Sequence, residues 1–169
     1  ASMRVDRITR IIEQKSKDFP AIIVDDFSLL CDAELAACKV SKPNGYQAFD
    51  LFNKKVYALR DAARNADCHV FLTMHEQSPR EVKKPGQTRW LPGSPLIPGW
   101  QLPEKLPAIA DFVARIVHDP SSHSGWPYSY DASGRDPEYI TKDRLGVMPE
   151  RFPLNLREIL IAGGYGIPR

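Results

Sequence analysis

The sequence predicts a three-layer α/β domain in which a mostly parallel sheet is followed by antiparallel strands near the carboxyl terminus. Two short apolar runs, residues 21–25 and 69–74, are continuous rather than alternating, which is typical of parallel strands buried on both faces. A strongly amphipathic segment lies between them, so the three together indicate a βαβ unit with a right-handed crossover. Aromatic-rich, alternating segments after residue 110 favour antiparallel strands instead.

Length and composition indicate one globular domain over residues 3–169, since Ala1-Ser2 ahead of Met3 is typical of a cloning remnant. The chain is 43% hydrophobic and 26% charged, and its net charge of +2 singles out neither a nucleic-acid nor a membrane partner. Its three cysteines lack CxxC spacing, so they indicate reduced thiols in the cytoplasm rather than disulfides or zinc. No apolar run approaches the roughly 18 residues of a membrane span.

The amino-terminal half predicts two helices and two strands. Residues 4–18 form an amphipathic helix, because Val5, Ile8 and Ile12 recur on one face, and the 21–25 strand follows. A polar loop is expected over 39–45, which contains a Pro-Asn-Gly turn sequence. The clearest helix has five apolar residues on one face: Phe49, Phe52, Val56, Leu59 and Ala63.

The carboxyl-terminal half is less regular. Residues 78–107 contain seven prolines and three glycines, which predicts a long loop without extended regular elements. Residues 111–117 are compatible with a helix or a strand, and a strand is favoured. Two antiparallel strands are predicted over 126–130 and 139–141, joined by a turn over 131–137. A closing helix is predicted over 155–162 and ends at a Gly-Gly pair.

Two acids follow the first apolar run directly. Asp25 and Asp26 would lie at the carboxyl end of a parallel strand, where open α/β sheets bind their ligands. An acid in this position holds Mg²⁺ in nucleoside-triphosphate enzymes, as the Walker B strand does. The alternative is a buried strand followed by an acidic turn, and for Asp26 a helix cap.

The order of these segments resembles a known family. A Walker-B-like strand, a helix, an apolar strand ending in His75-Glu76-Gln77, a basic loop, a strand and a late Lys142-Asp143-Arg144 followed by Leu-Gly occur in turn. This order resembles the carboxyl-terminal two thirds of a RecA-like ATPase core. It is most similar to the small phage-encoded RecA-like NTP-binding proteins used in single-strand annealing recombination, and the similarity covers residues 5–162, including the Leu-Pro-Glu piece at 102–104.

The resemblance implies a RecA-like P-loop ATPase that binds ATP and Mg²⁺ at the interface of a homo-oligomer. Its partners would be single-stranded DNA and a single-strand-binding or annealing protein, in the cytoplasm of a bacterial or phage-infected cell. The sequence contains no GxxxxGK[ST] phosphate loop. In the family this loop precedes the Walker B strand, so we expect either a piece of a longer ATPase or a relative that does not hydrolyse nucleotide.

The family pattern assigns roles to single residues. Asp25 would hold the Mg²⁺ and would belong with Glu76, Lys142 and Arg144 to the catalytic set. Asp26 and His75 would contact the nucleotide, the latter as part of a γ-phosphate sensor in which the family usually has an amide at the position of Glu76. The alternatives are a core histidine for His75 and, for Lys142 and Arg144, a solvated pair on an exposed strand face.

The basic part of the long loop corresponds in position to the DNA-contacting loop of the family. Cations neutralise phosphates and an aromatic ring can stack on an unpaired base. The predicted DNA-binding residues are Arg80, Lys83, Lys84, Arg89 and Trp90. Three alternatives stay open: this loop is merely solvated, the chain is a nucleotide-binding-defunct scaffold, or Asp25, Asp26 and Glu76 form a Mg²⁺-dependent phosphoryl-transfer or nuclease site.

Overall fold

The computed structural model describes residues 4–42, 44–84, 87–99, 101–121, 127–144, 146–149 and 151–164, without the side chains of Lys84 and Gln87. These residues form a mixture of α-helices and β-strands. They divide into two compact units, each described by itself below. Unit 1 comprises residues 1–77 and 95–103, and unit 2 comprises residues 78–94 and 104–169.

Unit 1 consists of three helices and a parallel strand pair. Its elements are α1 (Val5–Lys15), β1 (Ala21–Val24), α2 (Phe27–Ser41), α3 (Gly45–Arg64), β2 (His69–Leu72) and the short β3 (Glu76–Gln77). The apolar faces of α1 and α3 are buried, as their spacing predicts: Val5 and Ile12 on α1, and Phe52, Val56 and Leu59 on α3, are each 0% exposed.

Helix α2 is an element that the sequence analysis did not predict. Asp26 caps its amino terminus by accepting hydrogen bonds from the backbone N–H groups of Ser28 and Leu29. The helix extends to Ser41, so the loop predicted over 39–45 is shorter than expected. Asp26 is followed by good helix formers such as Leu, Ala and Glu, a pattern that predicts a capped helix. The pattern was not recognised, because Asp26 also ends the Walker-B-like run.

The predicted parallel pairing of the two apolar runs is confirmed. Ala21 pairs with His69 and Val24 with Leu72, in parallel register. The expectation that both faces are buried is wrong for β1, since Val24 is 7% exposed but Ile23, on the opposite face, is 57% exposed. The reason is that successive side chains of a strand point to opposite faces, and within the described residues only one face of this pair is well covered.

A buried charge network joins the three helices of unit 1. Glu34 of α2 is 1% exposed, and it accepts hydrogen bonds from the Val5 N–H at 3.1 Å and from Lys55 Nζ at 2.6 Å. Lys55 also contacts Asp6 at 2.6 Å. Burial alone would lower the pKa of Lys55, but the hydrogen bonds to Asp6 and Glu34 raise it above its ordinary value. The network ties the first turn of α1 to α2 and α3.

Unit 2 is built mostly from short antiparallel strands. Two of its elements, β6 (Ser94–Pro95) and α4 (Leu102–Ile109), include residues that are assigned to unit 1. The others are β4 (Arg80–Lys84), β5 (Gln87–Leu91), β7 (Phe112–Val113), β8 (Arg115–His118), β9 (Tyr128–Asp131), β10 (Lys142–Asp143), β11 (Arg151–Pro153) and α5 (Leu156–Ala162). Strand β9 lies between β8 and β11, and β7 pairs with β10, all antiparallel. The rings of Phe112, Tyr130 and Phe152 pack together in the core of this unit.

Three predictions for this part of the chain need correction. The segment 78–107 contains the paired strands β4 and β5 and most of α4, and Pro103 lies in the first turn of α4, where a missing N–H costs little. The strand expected over 111–117 is interrupted at Ala114. Residues 139–141 form no strand, since Tyr139 makes only an isolated bridge to Gly93. Trp126, at the start of another predicted strand, lies outside the described residues.

Candidate functional site

The carboxyl ends of β1 and β2 bring two polar side chains together. Parallel strands in register finish at the same edge, so Asp25 and Thr73 each follow the last residue of a strand. The Thr73 N–H donates to the Val24 carbonyl at 3.1 Å, which continues the strand pairing by one bond. The Thr73 hydroxyl donates to Oδ1 of Asp25. The predicted position of Asp25 at this edge is therefore confirmed, and its neighbour is Thr73.

Asp26 and His75 form a second contact beside the first. Asp26 Oδ2 lies 2.8 Å from His75 Nε2, while its Oδ1 caps α2 through the Ser28 N–H at 2.9 Å. The peptide bond between Asp25 and Asp26 is cis. The helix cap that was an alternative for Asp26 is thus present, together with a contact to His75.

His75 is not a core histidine, since its side chain is 60% exposed. Its backbone is nevertheless held, because the His75 N–H donates to Ser28 Oγ at 2.9 Å and its carbonyl accepts from the Leu96 N–H at 2.8 Å. Ser28 itself is 1% exposed. The end of β2 is therefore bonded to the first turn of α2, and Asp25, Asp26, Thr73 and His75 lie in one region of unit 1.

Glu76 begins β3 and is exposed to solvent. Among the residues that the structure describes, no three His, Cys, Asp or Glu side chains gather into a group that could hold a metal ion. Asp25, Asp26 and Glu76 therefore do not form a three-carboxylate metal site here. What the region does offer a cation is the Asp25 carboxylate beside a hydroxyl, and oxygen atoms are the ligands that Mg²⁺ prefers.

The two late cations bind the carboxyl end of α4. Lys142 Nζ donates to the Ala108 carbonyl at 2.6 Å, and Arg144 donates to the Ile109 carbonyl at 3.4 Å and to Asp111 Oδ1 at 2.9 Å. Cations are favourable at this end of a helix, where carbonyls are unpaired and the dipole is negative. Burial, and then the charge of Arg144, lower the pKa of Lys142. The sequence analysis did not foresee this role.

The predicted DNA-binding residues lie on a two-stranded hairpin with two different faces. Residues directly opposite one another point to the same side of an antiparallel pair. Glu81 is opposite Trp90 and Lys83 is opposite Thr88, so Trp90 and Lys83 share one face. Arg80 and Arg89 share the other face, and the side chain of Lys84 lies outside the described part of the chain.

The charges of the hairpin are partly compensated. Lys83 Nζ lies 3.5 Å from Glu81, and Arg89 contacts Glu104 at 3.3 Å, with all four side chains substantially exposed. Trp90 is 55% exposed. Exposed ion pairs of this kind contribute little to stability, so their cations are available to a competing anion.

Thr73 and Ser28 are the members of this region that the sequence analysis missed. The signal for Thr73 was its place directly after the second apolar run, equivalent to that of Asp25 after the first. The signal for Ser28 was its position two residues after a capping acid, in the first turn of a helix.

Comparison with protein families, with curated proteins and with solved structures found no match. Over the described residues, no helix has the length and apolar character needed to cross a membrane.

Proposed function

We propose that this chain is part of a RecA-like ATP-binding core of the phage recombination type, with Mg²⁺–nucleotide beside Asp25 and single-stranded DNA on the β4–β5 hairpin. The observation that carries the proposal is the convergence of Asp25 and Thr73 at the carboxyl ends of two parallel strands. The proposal includes a three-layer core with a mostly parallel sheet. In such a core the face that carries the exposed Ile23 would be covered by a further layer.

The chemistry of the nucleotide site follows from its oxygen atoms. The residues fit one edge of a Mg²⁺–phosphate site, because Mg²⁺ is usually held by one or two carboxylates, substrate phosphates and water. When bound, Mg²⁺ supplies neutralisation of the phosphate charge. The Asp25 carboxylate would accept hydrogen bonds from a metal-bound water, while His75 would donate toward a phosphate oxygen if it left Asp26.

Lys142 and Arg144 are proposed to act on nucleotide held by a second subunit of a homo-oligomer. Cations in that position stabilise the charge of a transferring phosphoryl group. The ion pair of Arg144 is exposed, since the Arg144 and Asp111 side chains are 51% and 55% exposed. An exposed pair of this kind is worth less than about 1 kcal/mol, so phosphate could replace it.

A nucleotide titration followed by amide NMR tests the first part. Without a GxxxxGK[ST] loop in this sequence, we expect only weak binding of Mg²⁺–ATP and no hydrolysis above background. The shifted amides should be those of residues 24–28 and 73–75, and Asp25→Asn should lower the affinity measured from those shifts without removing it. Asp50→Asn, which alters an exposed acid of α3 paired with Lys54, is the matched control. Micromolar binding, or shifts confined to other residues, would contradict the proposal.

The hairpin is tested by binding of a fluorescent oligothymidylate at several salt concentrations. Four phosphate contacts would give a slope of about −2.8 in log K against log salt, from roughly 0.7 per contact on single strands. Replacing Arg80, Lys83, Lys84 and Arg89 together by Ala should bring the slope near zero. Trp90→Ala should weaken binding by about 1–3 kcal/mol if the ring stacks on a base.

Two lysines outside the hairpin provide the control for the salt dependence of binding. Lys15 and Lys54 are exposed and pair with nearby acids, as Lys83 does, and their joint replacement by Ala should leave the slope unchanged. If the hairpin variant keeps both affinity and slope, the hairpin is only a solvated connection. A chain that binds neither nucleotide nor DNA would favour the scaffold function instead.

A further inference from the structure

We infer that Thr73 is a positioning residue for Asp25, holding the carboxylate in the orientation that a Mg²⁺–phosphate ligand requires. The inference rests on the proposed nucleotide site and adds to it a residue that neither the sequence motifs nor the family pattern assigned. Three hydrogen bonds connect Thr73 to the turn that contains Asp25.

The backbone of Thr73 is bonded on both sides of that turn. Its N–H donates to the carbonyl of Val24, the residue before Asp25, at 3.1 Å. Its carbonyl accepts from the N–H of Phe27, the residue after Asp26, at 2.9 Å. The turn between β1 and α2 is therefore held by the residue that follows β2, and two backbone hydrogen bonds fix the position of Thr73 relative to Asp25.

The hydroxyl of Thr73 completes the arrangement by donating to Asp25 Oδ1. An ionised carboxylate has about four acceptor sites on its two oxygens, so one bond to Oδ1 leaves Oδ2 able to accept from a metal-bound water or to bind the ion. Asp25 is exposed, and the bond from the Thr73 hydroxyl favours one orientation of its carboxylate. Threonine suits this role because its branched Cβ restricts χ1 and holds the hydroxyl in place.

The backbone clamp and the hydroxyl make separable predictions. Thr73→Val keeps the shape and both backbone bonds but removes the donor, whereas Thr73→Ser keeps a donor on a less restricted side chain. We expect Thr73→Val to weaken Mg²⁺–ATP binding about five- to tenfold, the upper part of the range for the loss of a typical hydrogen bond. Thr73→Ser should lie within about threefold of the wild type.

The experiment measures Mg²⁺–ATP affinity by amide NMR for the wild type, Thr73→Val, Thr73→Ser and Asp25→Asn, and for the double variant Thr73→Val with Asp25→Asn. Thr9→Val is the control, because Thr9 makes a hydroxyl bond to the Val5 carbonyl on α1 and should not change affinity. Circular dichroism checks that each variant is folded. A residue that acts through Asp25 should have no further effect once Asp25 is Asn.

The outcomes separate the inference from the proposed function. Wild-type affinity in Thr73→Val, or an equal loss when Asp25 is already Asn, would overturn the positioning role while leaving the nucleotide site intact. A wild-type chain whose amides at 24–28 and 73–75 do not respond to Mg²⁺–ATP would overturn the proposed function, and the positioning role with it. A loss in Thr73→Val that disappears in the Asp25→Asn background supports both.

Discussion

Replacing Lys55 by Met should destabilise unit 1 far more than the same change at the adjacent Lys54. Lys55 is the side-chain partner of the buried Glu34, which is 1% exposed, and its own side chain is 18% exposed. Removing one member of a buried pair leaves an uncompensated charge and costs about 3–5 kcal/mol. Because the ammonium end is partly solvated and the Val5 N–H still bonds Glu34, we expect about 2–3 kcal/mol.

The control lies on the same helix. Lys54 contacts Asp50 at 2.8 Å with side chains 72% and 64% exposed, and pairs of this kind contribute about 0.3–0.5 kcal/mol. Urea unfolding followed by circular dichroism at 222 nm reports on α1, α2 and α3, which hold most of the helical residues. If Lys55→Met unfolds within about 0.5 kcal/mol of Lys54→Met, the network does not stabilise unit 1 and the reasoning is wrong.

The same network predicts a dependence on alkaline pH. The pKa of Lys55 is raised above its ordinary value of 10.5 in the folded protein, so the unfolded chain releases this proton first as pH rises. The stability that Lys55 contributes is therefore fully present below the unfolded pKa and is lost as pH rises through the folded one. The difference between wild type and Lys55→Met should stay constant up to about pH 10 and shrink above it.

Three further predictions concern single side chains. Asp26→Ala should cost about 1 kcal/mol in urea unfolding because α2 loses its cap, whereas Asp26→Asn should stay close to wild type, and equal losses would contradict the capping role. Burial raises the pKa of Cys31 to about 12, so iodoacetamide at pH 8 should label the partly exposed Cys68 first, as mass spectrometry would show, and equal rates would argue against a buried thiol. Phe152→Ala should cost about 3–5 kcal/mol in thermal unfolding of unit 2, against less than about 1 for Ala at the 62% exposed Ile116, and similar losses would contradict the core assignment.

Lys142 and Arg144 have one role that the structure shows and a second role that the proposed function requires. Lys142 and Arg144 neutralise the carboxyl end of α4 in the structure, a role that needs no nucleotide. The proposed function asks the same two side chains to reach a phosphate on another subunit. The present acceptors are two carbonyls at the end of α4 and the exposed carboxylate of Asp111, and a phosphate would compete with them for the two cations.

Periodicity and chain order predicted the parts of unit 1 that depend on local pattern and on a general rule of chain connection. The two apolar runs pair in parallel because a long helical connection returns the chain to the same edge, and Asp25 lies at the carboxyl edge because it follows the last residue of β1. Helix α3 follows from its apolar face in the same way. Helix α2 was not predicted, because Asp26 was interpreted as a nucleotide contact and its helix-cap alternative was not extended to the residues that follow it.

That polar side chains follow both strands can be read from the amino-acid order, whereas which of them are in contact depends on how the strands pair. Thr73 contacts Asp25, because the parallel register places the first residue after β2 opposite the first residue after β1. Likewise, the prolines and cations of residues 78–107 are visible in the sequence, but the hairpin that separates Trp90 from Arg80 and Arg89 depends on strand register. Register and the choice among competing acceptors arise from distances between segments far apart in the chain, which composition and spacing do not specify.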